Sequence, residues 1–357
     1  MKHTLLEHIT WGDLKKILIP IAGVLVGIVI GSLVIVNKDR SLFTVMGQLF
    51  YGAFGSMDNF SGSLVYAIPL GFTGLAIAFS YSAGIFNIGA EGQLQLAALV
   101  TAVIATSGLL ENSIFLLPII IIAGMLMGAL WALGPGLLKA YKGFNEIVVT
   151  MLLNYVAILL VSFFLQGPIQ AEGAFYPQTE LFPAAARLGK IVQGYTLHQG
   201  FWIFLFMVVV VYIVLYKTTF GFRIRAVGFN PEGALYAGIN HKKILVLSMV
   251  VSGALAGLAG SVEILGVHRR LMEGFSPGYG YDAIAVALLA NLNPIGIIFS
   301  SFFFGALRNA ASGLQIDFGI PVSFIYIIQA LAIIFVVSSQ GMPRIIRDVK
   351  RRFKNAK

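Results

Sequence analysis

A chain of 357 residues that is 58% hydrophobic and only 11% charged is not a soluble globular domain, in which about 25% of residues carry charge. Its formal charge of +9 is no sign of nucleic-acid binding, because the cations cluster in short segments between long apolar runs and read as topology anchors. The absence of cysteine excludes disulfides, thiolate metal ligands and thiol nucleophiles.

About 20 apolar residues in helical form cross a bilayer core. Ten segments fit: 17–36, 62–82, 88–107, 114–138, 145–166, 201–217, 244–265, 282–297, 298–316 and 321–339. The expected fold is an all-α polytopic membrane protein of about ten transmembrane helices, forming one domain over residues 1–357. The first run follows Glu7 and Asp13 and is long enough to span, so it reads as a retained helix rather than a cleaved leader. It carries Gly23, Gly27 and Gly31, and the same four-residue spacing recurs as Gly124 and Gly128 in the fourth run and Gly253 and Gly257 in the seventh. Small residues four apart let membrane helices approach closely.

The third run opens with the one feature that its apolar surroundings do not explain. From Phe60 to Ala90 there is no charge, and then Glu91 appears among Gly84, Asn87, Gly89 and Gly92. A charged side chain at a helix centre costs roughly 2.5–3.5 kcal/mol on insertion scales. Irregular backbone at membrane depth persists only where protein buries it or it lines a wet cavity. Two readings follow. Asn87 caps a helix whose first turn holds Glu91, or Phe86, Asn87, Glu91 and Gln93 form part of a substrate path.

In the fifth run Glu146 and Asn154 lie eight apart and share a helix face. NEIVVTMLLN (145–154) also echoes YDAIAVALLAN (281–291), as an inverted-topology repeat would. The Pro-, Gly- and Ala-rich loop 167–200 reads as a cap on the outer mouth, a surface for an outer partner, or a plain connection. Loop 218–243 contains a helix start: Asn230 as cap, Pro231 at the first position and Glu232 in the first turn, then Gly233 and Tyr236, with Gly238 to end it. A short helix between basic flanks suits docking to another protein, or an ordinary interfacial loop.

The eighth and ninth runs form one uncharged stretch broken by NLNP at 291–294, either two crossings or a re-entrant pair, with Asn291 and Asn293 at the break. Arg308, mid-span, needs an acceptor, and Glu263 or a ligand oxygen is expected to supply it. Counted by segment, seventeen lysines and arginines fall on one side, including the tail 343–357, and six on the other. This places both termini in the cytoplasm. No HExxH or P-loop is present, and the histidines lack ligand spacing. A catalytic residue, a metal site and an ATPase site are therefore not expected in this chain.

Four stretches in order, FNIGAEGQ, NEIVVTMLLNY, RAVGFNPEGALYAGI and AVALLANLNPIGI, resemble permeases of bacterial ABC importers of the ribose-type and branched-chain-amino-acid-type superfamily. Within it the chain is most similar to the nucleoside and simple-sugar permeases. The similarity covers roughly residues 60–340 and departs at Ala290, where glycine is expected. The resemblance implies a plasma-membrane subunit that pairs with a second homologous permease. It also implies ABC ATPase subunits, which bring ATP and Mg2+ and dock on Asn230–Gly238, and an external substrate-binding lipoprotein. Membrane lipid surrounds such a subunit, and nucleic acid and a cofactor in this chain are not part of the picture. The implied cargo is a nucleoside, with a simple sugar or a flavin as alternatives. Asn87, Glu91, Asn154 and Asn291 would supply hydrogen bonds, and Phe86 and Tyr155 stacking faces. A stand-alone carrier or channel would instead need a coupling-ion site and no docking helix.

Overall fold

The structure, a computed structural model, describes residues 41–108 and 113–318 and positions 26, 29, 30, 326–331 and 334. The expected first and tenth spans, 17–36 and 321–339, and the basic tail thus lie wholly or largely outside the described residues. The described residues are helical, with turns and two isolated bridges and no strand. In chain order the helices are α1 (Leu42–Phe54), α2 (Met57–Tyr81), α3 (Ala90–Thr106), α4 (Leu116–Lys142) and α5 (Glu146–Leu165). Then come α6 (Gly200–Lys217), α7 (Thr219–Phe229), α8 (Pro231–Tyr236), α9 (His241–Glu263), α10 (Tyr279–Leu289) and α11 (Pro294–Phe318). A π-turn, Ile264–His268, prolongs α9.

Six of these are long and apolar enough to cross a membrane: α2, α4, α5, α6, α9 with its π-turn, and α11. The apolar α3, at 17 residues, falls just short of that length. The expected spans 282–297 and 298–316 are replaced by a short helix and a long one. The 11 residues of α10 rise about 16 Å, roughly half of a 30 Å hydrocarbon core. The chain then turns through Asn291 and Leu292, both with positive φ. It restarts at Pro294, where Asn293 Oδ1 accepts from Ile295 N at 2.9 Å. The boundary falls at the expected NLNP break, where an Asn cap and a proline at the first helical position place it, and not between residues 297 and 298.

The chain groups into two compact units, residues 60–306 and residues 1–59 with 307–357. In the larger unit α9 packs along α4 and α3. The paired glycines of α4 and α9 meet one another: a Cβ on Gly128 would lie 2.3 Å from Gly253 O, and one on Gly257 2.5 Å from Gly124 O. Loop 167–200 is docked rather than loose. Thr179 N donates to Leu271 O at 2.8 Å, Phe182 N to Arg269 O at 2.8 Å and Leu188 N to Leu265 O at 3.0 Å. In the smaller unit Asn309 Nδ2 donates to Gly52 O at 2.9 Å and Asn59 O at 2.7 Å, holding α1 against α11.

Candidate functional site

The chain between α2 and α3 turns at Gly84, whose φ of +80° suits glycine, and its polar groups point inward. Asn87 is fully buried. Its Nδ2 donates to Gln93 Oε1 at 2.9 Å and Ser252 Oγ at 2.8 Å, and Gln93 Nε2 returns a bond to Asn87 Oδ1 at 3.1 Å. Ser252 Oγ in turn donates to Ala76 O at 2.6 Å. This closed amide pair fixes the break against α9.

Glu91 follows in the first turn of α3, 2% exposed. Its Oε2 accepts from Gly280 N at 2.8 Å and its Oε1 from Gln95 Nε2 at 3.2 Å. Gly280 lies in the first turn of α10, where free amides and the helix dipole attract an anion. The carboxylate therefore sits in the first turn of its own helix and closes the start of a second one across the bundle. The approach is tight: a Cβ on Gly280 would lie 2.3 Å from Glu91 N.

Asn154, from the middle of α5, joins the same junction. Its Oδ1 accepts from Gly92 N at 2.8 Å, while Nδ2 donates to Ile88 O at 2.9 Å and Tyr281 OH at 3.2 Å. Of the residues singled out from sequence, the structure thus brings together Asn87, Glu91, Gln93 and Asn154. It adds Tyr281, Gly280, Gln95 and Ser252. Tyr281 was within reach of sequence reasoning, since it begins the 281–291 echo, but only the fold sets its hydroxyl against Asn154.

The face beside this junction is open. Tyr155, the neighbour of Asn154, is 61% exposed, and Tyr281, whose hydroxyl accepts from Asn154, is 38% exposed. Tyr155 is the tenth residue of a 20-residue helix, about 15 Å from either end.

The other expected site residues lie elsewhere. Phe86 packs edge-on to Tyr81, ring centroids 5.6 Å apart. Glu146 pairs with Lys139 at 2.7 Å across the α4–α5 turn, partly exposed. Asn291 is exposed in its turn, and Asn293 caps α11. Arg308, 5% exposed, donates to Tyr326 OH at 3.1 Å. Glu263 is not its acceptor. Glu263 Oε1 instead accepts from Tyr279 OH at 3.2 Å and faces His268 Nε2 at 3.6 Å, because the π-turn swings His268 back over the carboxylate.

Behind Glu263, in the docked loop, His198 is fully buried, its Nδ1 accepting from Gly200 N at 3.2 Å. Burial holds its pKa below the ordinary 6.5, outweighing the opposite pull of Glu263. Because the folded pKa is the lower one, the unfolded chain takes up the proton first. Stability is complete above about pH 6.5 and is lost as pH falls from there through the folded value. Thermal unfolding scans should show the melting temperature dropping between pH 7.5 and 5.5, and dropping less in His198→Gln. Equal drops in both proteins would remove His198 from the account.

The basic loop folds into two helices where one was expected. Thr218 caps α7, its Oγ1 accepting from Gly221 N at 3.1 Å. Asn230 Oδ1 then accepts from Gly233 N at 2.9 Å to start α8, with Pro231 first and Glu232 exposed in the first turn. Gly238, at φ +76°, ends it, and Ile239 N closes onto Ala234 O at 3.0 Å. The tip is apolar and open: Phe229 is 94% exposed, Tyr236 93% and Leu235 57%.

A family model described as the permease component of branched-chain amino acid transport systems matches residues 59–342. The chain is 35% identical over 335 residues to the glucose ABC transporter permease protein TsgB13 of Haloferax volcanii, covering 91% of this chain and 88% of that one. It is 31% identical over 348 residues to the guanosine ABC transporter permease protein NupP of Bacillus subtilis, covering 96% and 99%. It is 33% identical over 331 residues to the nucleoside ABC transporter permease protein NupB of Lactococcus lactis, covering 90% and 91%. No solved structure matches it.

Proposed function

This chain belongs to that family of ABC transporter permeases, a multi-pass plasma-membrane subunit, and we propose that the solute it carries is a nucleoside. The observation that supports this cargo is the tyrosine pair at mid-membrane. A phenol hydroxyl is costly in hydrocarbon, and membrane tyrosines favour the headgroup region. Tyr155 and Tyr281, exposed together near the centre of α5, mark a face that meets water or protein rather than lipid. Two aromatic rings suit a planar base carried on a sugar.

In this reading the exposed face lines a path between this subunit and a second permease. An external binding protein delivers the solute, and ATPase subunits bound at α8 supply the energy. Asn87, Glu91 and Gln93 spend their polar atoms on the protein itself, so they shape the path more than they touch the solute. The chain contributes geometry and no covalent step. A simple sugar is the second reading, favoured by the glucose permease of Haloferax volcanii, since sugars also lie flat on aromatic rings.

Uptake separates the two. Cells making this permease with its ATPase and binding protein are expected to accumulate labelled guanosine, and excess unlabelled adenosine or cytidine should compete while glucose does not. Competition by glucose alone would replace the nucleoside with a sugar.

A further inference from the structure

A cleft of about 810 Å3 opens beside α8, between the first turns of α7 and α9. The four cations of the stretch from Thr219 to Lys243 are used unequally. Arg225 donates to Leu215 O at 3.0 Å and lies over the Tyr216 ring at 5.1 Å, and Lys242 lies over the Tyr141 ring at 5.5 Å. Arg223 and Lys243 both line the cleft. Among the described residues their side chains make no hydrogen bond, ion pair or ring contact. The rest of the lining is largely apolar, with Phe220, Phe222, Ile244 and Leu247. Leu247 lies about 9 Å further along α9 than His241, inside the helix's apolar, membrane-length run. Two unspent cations at the rim and a hydrocarbon floor that leads toward the bilayer match an amphiphilic anion.

We propose that this cleft binds an anionic membrane glycerophospholipid, its phosphate on Arg223 and Lys243 and its acyl chain on Ile244 and Leu247. A soluble anion would leave the apolar floor unused, and an acidic side chain from a docked protein would reach the rim but not the membrane-facing depth. The site adjoins α8, so lipid there stiffens the base from which α8 projects. The inference is independent of the cargo.

The test uses the full chain purified in detergent and native mass spectrometry with added phosphatidylglycerol or phosphatidylcholine. Phosphatidylglycerol adducts should dominate. They should fall about thirtyfold in affinity in Arg223→Ala/Lys243→Ala, since each cation near a membrane surface contributes about fivefold. They should persist in Arg225→Ala/Lys242→Ala, and glycerol 3-phosphate or inorganic phosphate at millimolar concentration should not displace them. Equal retention of the two lipids, unchanged retention in the Arg223/Lys243 variant, or displacement by the soluble phosphates would each overturn the proposal. So would loss of ATPase co-purification in that variant with phosphatidylglycerol retention intact.

Discussion

Leu235→Ser/Tyr236→Ser is expected to leave the permease inserted and folded yet to abolish its co-purification with the ATPase subunit and its transport. Both side chains stand in the open at the tip of α8, so their removal costs the fold little, within about 0.5 kcal/mol each. A docked partner would bury them, and buried aromatic and aliphatic anchors carry about 2 kcal/mol or more apiece at interfaces. Losing both weakens association on the order of a thousandfold. The helix itself is held by Asn230, Pro231 and the Gly238 turn, none of which the substitution touches. Pull-down of the tagged variant with normal amounts of ATPase would show that α8 is not the docking element. Deleting residues 230–238 tests the same point more severely, at the cost of reconnecting α7 to α9.

The second large effect concerns Glu91. Glu91→Ala removes the acceptor for Gly280 N and Gln95 Nε2 at a site that is 2% exposed. Each orphaned buried donor costs about 1–3 kcal/mol, and the first turn of α10 loses the charge that offsets its dipole. The alanine variant should therefore lose several degrees in melting temperature as well as uptake. Glu91→Gln keeps an oxygen for Gly280 N and should recover most of the stability and most of the uptake. The pair of variants separates the two readings of this carboxylate. If Glu91 met the solute directly, glutamine would fold normally and still fail in uptake, and a glutamine variant with wild-type melting and no transport would show that the carboxylate acts in transport beyond its capping role.

Much of the fold was legible because membrane helices announce themselves by length. The runs at 62–82, 114–138, 145–166, 201–217 and 244–265 all appear within a few residues of their expected bounds. Local capping chemistry was legible too, since a cap acts over three residues. Asn230 with Pro231 gave α8, and Asn145 accepts from Ile147 N at 3.0 Å at the start of α5. The division of 282–316 was legible in part: the chain turns at the NLNP break, through Asn291 and Leu292, but an apolar run does not mark how long the helix on either side is, and 282–297 proved to be a short one. The partners of Glu91, Asn154 and Arg308 were hidden for a different reason. Glu91 and Gly280 are 189 residues apart, Asn154 and Tyr281 are 127, and no periodicity links positions across such separations.

The sequence by itself determined the solvent in which this chain folds, the segments that can be helical, and the family motifs. Each of these depends on composition or on residues within a turn or two of one another. Tertiary structure decided what the buried polar groups are for. It made Asn87 and Gln93 each other's partners, turned Glu91 into the cap of a helix far away in sequence, and left Tyr155 and Tyr281 open on one face. A buried polar atom takes whichever partner the packing of helices brings within 3 Å, and that packing is set by the whole bundle, as the facing glycines of α4 and α9 show.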